Sequence, residues 1–179
     1  MTKLKKKSIT GDRIVTILAI GISLFTLLVF TKQTQIIAKQ SRLSVLPYLY
    51  VETGYDTKAN TISFTINNHG VGPAILEKIE IDYLGKTYEM DFEDFMKLSF
   101  FKNDSVRILA STSLNKGMPF PSKSERLVVQ FGGSETEYNE AREFLGKLEK
   151  NSFSFKIYYK SIYEDKFMIS MESDVPVEL

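Results

Sequence analysis

"INNHGVGPAILEKIEIDY", Ile66 to Tyr83, decides how this chain is read. It holds the only histidine, His69, beside two glycines, in a spacing that suits either a site of chemistry or a turn. A dinucleotide-binding loop has three glycines opening onto a helix, and a P-loop needs Gly-Lys-Ser/Thr. Here Gly72 is followed by Pro73 and "AILEKIEIDY", in which Ile79, Ile81 and Tyr83 alternate with Glu80 and Asp82. That is the period of a strand with one wet face. The residues before the stretch, "TISFTIN", alternate too, with Ile62, Phe64 and Ile66 on one side and Ser63 and Thr65 on the other. The stretch is therefore read as a turn between two strands. Asn68 closes the first strand, at least one of Gly70 and Gly72 is expected to take a positive φ, and Pro73 sets the entry into the second. His69 has no second His and no Cys with which to share a metal. No catalytic, cofactor or metal residue is assigned.

Working outward, the same alternation predicts further strands in "PYLYVETGY", "KTYEM" across a Leu84–Gly85–Lys86 turn, "SVRILAS", "RLVVQFG", "FSFKIYYKS" and "KFMISME". Seven or eight short strands separated by turn residues predict a mainly β, antiparallel immunoglobulin-like β-sandwich. Two helices interrupt it. "DFEDFMKLSFF" starts at Asp91, a good N-cap, and places Phe92, Phe95, Met96 and Ser99 along one side. "SETEYNEAREFLGKLEK" opens with Ser134 and Glu137, a capping-box pair, with Tyr138, Ala141, Leu145 and Leu148 as its apolar stripe.

The N-terminal part is different. Ile14 to Thr31, "IVTILAIGISLFTLLVFT", runs 18 residues without a charge, close to the ~20 that cross a bilayer as a helix. The run exceeds the usual apolar length of a cleaved signal, and no small-x-small pattern directly follows it, so an uncleaved anchor is expected. Lys3, Lys5, Lys6, Lys7 and Arg13 precede it; Lys32, Lys39 and Arg42 follow. This bias puts the N-terminus in the cytoplasm and the rest outside. The expected organisation is a basic tail (1–13), a transmembrane helix (14–31), a juxtamembrane stalk (32–45) and a β domain (46–179) that begins where Pro47 turns the chain extended.

The 179 residues carry a net charge of +1, contain no cysteine and are 43% hydrophobic. Disulfides and thiolate chemistry are excluded, and a body with a slight acidic excess gives no footprint for nucleic acid. "DFEDF" and "YEDK" lack the spaced oxygen ligands of a calcium loop. Asn103 sits in an Asn-x-Ser sequon, relevant only in a glycosylating host. Tyr158, Tyr159 and Tyr163 form a candidate interaction surface; the simpler reading of the same tyrosines is β-propensity.

The juxtamembrane "SVLPYLYVE", the strand ending "INNHGVGPA" and the late "IYYKSIYEDKFMIS" resemble a group of small bacterial membrane-anchored proteins of unknown function. The resemblance implies an N-terminal transmembrane helix joined to an immunoglobulin-like β-sandwich, and it brings no catalytic residues. The function expected is that of a single-pass protein held in the lipid by Ile14 to Thr31. Its β domain would bind an unknown protein partner or a second copy within a membrane-associated complex. A cytoplasm-facing sensor or accessory subunit is the alternative, and a carboxylate- or His69-dependent hydrolase a more distant one.

Overall fold

The structure, a computed structural model, describes residues 11–98 and 106–179. Two compact units meet between Leu43 and Ser44.

The first unit is α1, Gly11–Leu43, a helix of 33 residues of which none is buried. It is long and apolar enough to cross a membrane. The large apolar side chains from Ile14 to Phe30 are 38–69% exposed in the described structure. Four of its hydroxyls bond back to their own helix. The hydroxyls of Thr16, Ser23 and Thr34 donate to the carbonyls of Asp12, Ala19 and Phe30, one turn back, and Thr31 donates to Leu28. The helix continues unbroken through the polar stretch after Thr31, then gives way to turn and extended chain before Pro47.

Among its described residues the second unit has ten strands and two helices: β1 (Leu49–Asp56), β2 (Thr61–Asn68), β3 (Ala74–Tyr83), β4 (Lys86–Glu89), α2 (Phe92–Met96), β5 (Ile108–Ser111), β6 (Pro119–Phe120), β7 (Glu125–Gly132), α3 (Glu135–Lys150), β8 (Ser154–Lys160), β9 (Lys166–Ser170) and β10 (Ser173–Glu178). They form two antiparallel sheets. Sheet A runs β1-β2-β7-β5; sheet B runs β10-β9-β8-β3-β4, with β6 pairing on β3. One hydrophobic core takes side chains from both: Leu49, Ile62, Ile66 and Phe131 from sheet A, Ile81, Ile157 and Tyr159 from sheet B.

Two of these strands carry no clean sequence signal. β6 is a two-residue bridge, and β10 contains Pro176, a residue usually read as ending a strand. β10 accommodates it because it is the edge of sheet B, where a missing N–H breaks no ladder. "KFMISME" accordingly covers β9 and the turn after it, and the chain returns as β10 with Ser173 opposite Ser170.

The β3–β4 hairpin closes with Tyr83 opposite Lys86, leaving Leu84 and Gly85 as a two-residue loop. Both have positive φ, 51° and 73°, the geometry of a type I′ turn. α2 is shorter than its sequence suggests; Ser99 of the expected stripe and the Asn103 sequon lie outside the described residues. Asp91 caps it, accepting from the Asp94 N–H at 2.7 Å. Phe95 inserts fully, with ring contacts to Tyr83, Tyr88 and Phe153. Ser134 caps α3 by accepting from Glu137 N–H. α3 buries Ala141, Phe144 and Leu148; Phe144, absent from the sequence stripe, meets Phe131 of β7 at 6.3 Å between ring centres.

Candidate functional site

The 69–73 connection is built around Asn68, which is 1% exposed. Its Oδ1 accepts from the N–H groups of Tyr48 and Gly70, at 3.1 and 2.9 Å. Its Nδ2 donates to the carbonyls of Gly72 and Phe120, both at 2.9 Å, and of Pro121 at 3.2 Å. Asn68 also exchanges backbone bonds with Ser124 and Lys123. One amide therefore joins three segments: the approach to β1, the turn itself and the β6–β7 connection. A buried amide offers four hydrogen-bonding positions, and this one is saturated. The turn is pinned further by His69 N–H to the Tyr48 carbonyl and by Val71 and Gly72 N–H to the Leu46 carbonyl. Ser122 Oγ donates to the Gly70 carbonyl at 2.7 Å.

Neither Gly70 nor Gly72 takes the positive φ expected from the sequence; among the described glycines that geometry belongs to Gly85, Gly117, Gly132 and Gly133. The requirement for glycine is steric instead. A Cβ on Gly72 would lie inside 3.0 Å of the Val45 carbonyl group, and one on Gly70 inside 3.0 Å of Leu46 O, Tyr48 N and Pro47 Cα. The backbone entering the β body lies directly against the turn, and only hydrogen side chains fit between them. Pro73 leads into β3 at Ala74. His69 is exposed, its ring 6.2 Å from that of Tyr50. Among the described residues no group of three His, Cys, Asp or Glu side chains is placed to hold a metal ion.

The three tyrosines do not share one surface. Tyr159 is 0% exposed, stacked on Phe167, with its hydroxyl accepting from the Leu49 N–H at 3.3 Å. Burial pushes its phenol up to about 12. Adjacent residues of a strand point to opposite faces, so Tyr158, next in sequence, lies on the outer face of sheet B. Tyr163 is exposed in the β8–β9 connection. There Ser161 Oγ accepts from the N–H groups of Tyr163 and Asp165.

The outer face of sheet B is an interlaced polar layer. Tyr158 donates to Glu80 at 2.8 Å, and Lys78 pairs with Glu80 while lying 4.5 Å from the Tyr158 ring centre. Thr87 bonds Asp82, which also receives Lys156 at 3.4 Å. The Lys78 bond, aided by Tyr158, holds Glu80 below the usual carboxylate range, and the Thr87 bond does the same for Asp82. Burial and the bond to Glu80 raise Tyr158. Each charge has an opposite neighbour. Half-exposed pairs of this kind contribute about 0–1 kcal/mol each, and the layer is a self-satisfied sheet face. Of the carboxylates of "DFEDF", Asp91 caps α2 and Glu93 pairs with Lys97.

The chain belongs to the family described as Domain of unknown function (DUF8453), whose model matches residues 10–174. The match takes in the apolar helix together with nearly all of the β body. No curated protein matches the chain.

Proposed function

We propose that this protein is a single-pass membrane protein whose β body is an immunoglobulin-like sandwich used as a binding or scaffold module outside the cytoplasm. The observation that carries the reading is α1, an apolar helix with no buried residue, carried on one chain with a β body that has its own complete core. A helix that leaves Leu, Ile and Phe bare on every side needs lipid around it. The family match across both parts supports the helix as a lasting component rather than a detached leader.

Strand order supports the immunoglobulin-like reading. With β1, β2 and β3 taken as A, B and C, β5 as D, β7 as E, and β8 and β9 as F and G, sheet A reads A-B-E-D and sheet B contains G-F-C. β4 then extends the C side, β10 the G side, and α3 occupies the E–F connection. The binding role is favoured because the conspicuous polar cluster, that of Asn68, is wholly committed to architecture. The bacterial setting suggested by the sequence resemblance belongs to the same proposal.

Purification of the full chain from its native membrane in a mild detergent tests this. A stoichiometric partner or a defined oligomer is expected. A lone monomer, with no cross-linked neighbour in the membrane, contradicts the binding role.

A further inference from the structure

β10 is the outer edge of sheet B, and among the described residues no strand pairs with its far side. A free edge of this kind is a template for a further strand, and this one is apolar. Val175, Val177 and Leu179 follow one another at alternate positions and are 59%, 46% and 64% exposed. Val177 lies opposite Met168, whose neighbours Phe167 and Ile169 point into the core. Val177, and Leu179 two residues on, therefore stand on the outer face of the sheet. A second copy laid antiparallel against β10 would join two such rows.

The backbone of β10 offers that copy little to bond. The Leu179 N–H donates to the Lys166 carbonyl of β9 at 3.0 Å. In an antiparallel ladder the residues whose N–H and C=O face the partner alternate. Val177, opposite Met168, therefore faces β9 as Leu179 does, and Pro176 and Glu178 face the free side. Pro176 has no N–H to give. Upstream, the register shifts between Ser173 and Val177, and the polar groups of Val175 are occupied locally. Its N–H donates to Ser173 Oγ at 3.4 Å, and its carbonyl accepts from the same hydroxyl at 2.8 Å. From Val175 to Leu179 the free side keeps a single backbone donor, the Glu178 N–H.

We infer that Pro176 is a guard: with the bulge beside it, it closes the edge of sheet B to strand addition and keeps a second copy of this chain from extending the sheet. A ladder needs donors at alternate residues along the edge, and here the proline removes one of the two that would face outward. The fold loses no bond to it, because the absent N–H would point away from β9. Val175, Val177 and Leu179 can therefore stay bare without drawing copies together through their backbones. The guard works on either side of a membrane, and a partner of the body then meets sheet B through side chains rather than by pairing with β10.

The test compares the full chain in detergent micelles with two variants. Pro176→Val restores the outward donor; Pro176→Val joined to Val177→Lys also sets a charge in the apolar row. Sedimentation reads association, and amide exchange is followed at residues 177–179. In the parent, the Val177 and Leu179 amides exchange at least tenfold more slowly than that of Glu178 at every protein concentration. Pro176→Val melts cooperatively when dilute and associates at concentrations at least tenfold below those at which the parent does. Its Glu178 amide slows at least tenfold as it associates. The double variant returns to the parent's behaviour in both readouts. A protected Glu178 amide in the parent overturns the inference, because the edge is then already paired. So does a Pro176→Val chain that sediments like the parent, or one that associates without protecting Glu178. Loss of cooperative melting in dilute Pro176→Val contradicts it as well, since the proline then serves the fold and not the edge. Association of the double variant as strong as that of Pro176→Val places the contact elsewhere and has the same consequence.

Discussion

Asn68 and the glycines that follow it show how a stretch with the composition of a site becomes structure. The amide of Asn68 closes three backbone segments, so Asn68→Ala strands two N–H groups and removes the donor to three carbonyls. Each buried polar group left unpaired costs about 1–3 kcal/mol, so the loss is expected to reach about 3 kcal/mol or more, read as a large drop in melting temperature. Gly72→Ala separates the steric account from a conformational one. At a glycine with ordinary φ, alanine is harmless unless its methyl has nowhere to go. Against the Val45 carbonyl it has nowhere, and a loss of about 1–3 kcal/mol is expected. His69→Gln, on the exposed side of the same turn, leaves stability and function unchanged. If Gly72→Ala melts like the parent, the close approach is wrong. Tyr159 gives a pH signature. Its folded pKa of about 12 lies above the ordinary tyrosine value of 10.0, so the unfolded chain ionises first. The stabilisation is complete below pH 10 and is lost as pH rises toward 12, a swing of about 2–3 kcal/mol. Tyr159→Phe loses about 1–3 kcal/mol at neutral pH, because Leu49 N–H is left without its acceptor, and shows a shallower alkaline decline than the parent. A parallel alkaline decline in both proteins contradicts that assignment.

At the level of elements, what a period announces is what the chain builds. Ile62, Phe64 and Ile66, and Ile79, Ile81 and Tyr83, line the core faces of β2 and β3 because alternation has a direct geometric meaning in a strand. Asp91 and Ser134 cap their helices because a side-chain oxygen next to free N–H groups is a local interaction. What the sequence leaves hidden depends on distant chain. The glycine requirement at Gly70 and Gly72 arises from Val45 to Tyr48, more than twenty residues earlier. The saturation of Asn68 needs carbonyls from Phe120 and Pro121, and the burial of Tyr159 needs β1. None of these contacts leaves a periodicity. The β3–β4 hairpin shows a local rule being broken. Leu84 is 60% exposed and sits at φ 51°, where a left-handed conformation costs an ordinary residue about 1–2 kcal/mol. Leu84→Asn keeps the turn, removes most of that strain and is expected to raise the melting temperature by an amount equivalent to about 0.5–1 kcal/mol. A lower melting temperature means the side chain has a packing role beyond the turn.

At the scale of the whole molecule, one chain carries an unburied apolar helix and a β body with its own core, and the proposed topology puts the helix in the bilayer and the body in water. The basic residues before the apolar run Ile14 to Thr31 outnumber those just after it, which favours the N-terminus inside. The absence of cysteine makes the proposal directly measurable, since any introduced thiol is the sole target of a maleimide. Lys58 is exposed in the β1–β2 turn and Ser8 lies in the basic tail, so Lys58→Cys and Ser8→Cys report the two sides of the membrane. With a membrane-impermeant maleimide added to intact cells stripped of any outer envelope, the account predicts that Lys58→Cys is labelled at once and Ser8→Cys only after the membrane is opened. Labelling of Ser8→Cys alone inverts the topology, and labelling of both or of neither before the membrane is opened contradicts a single crossing.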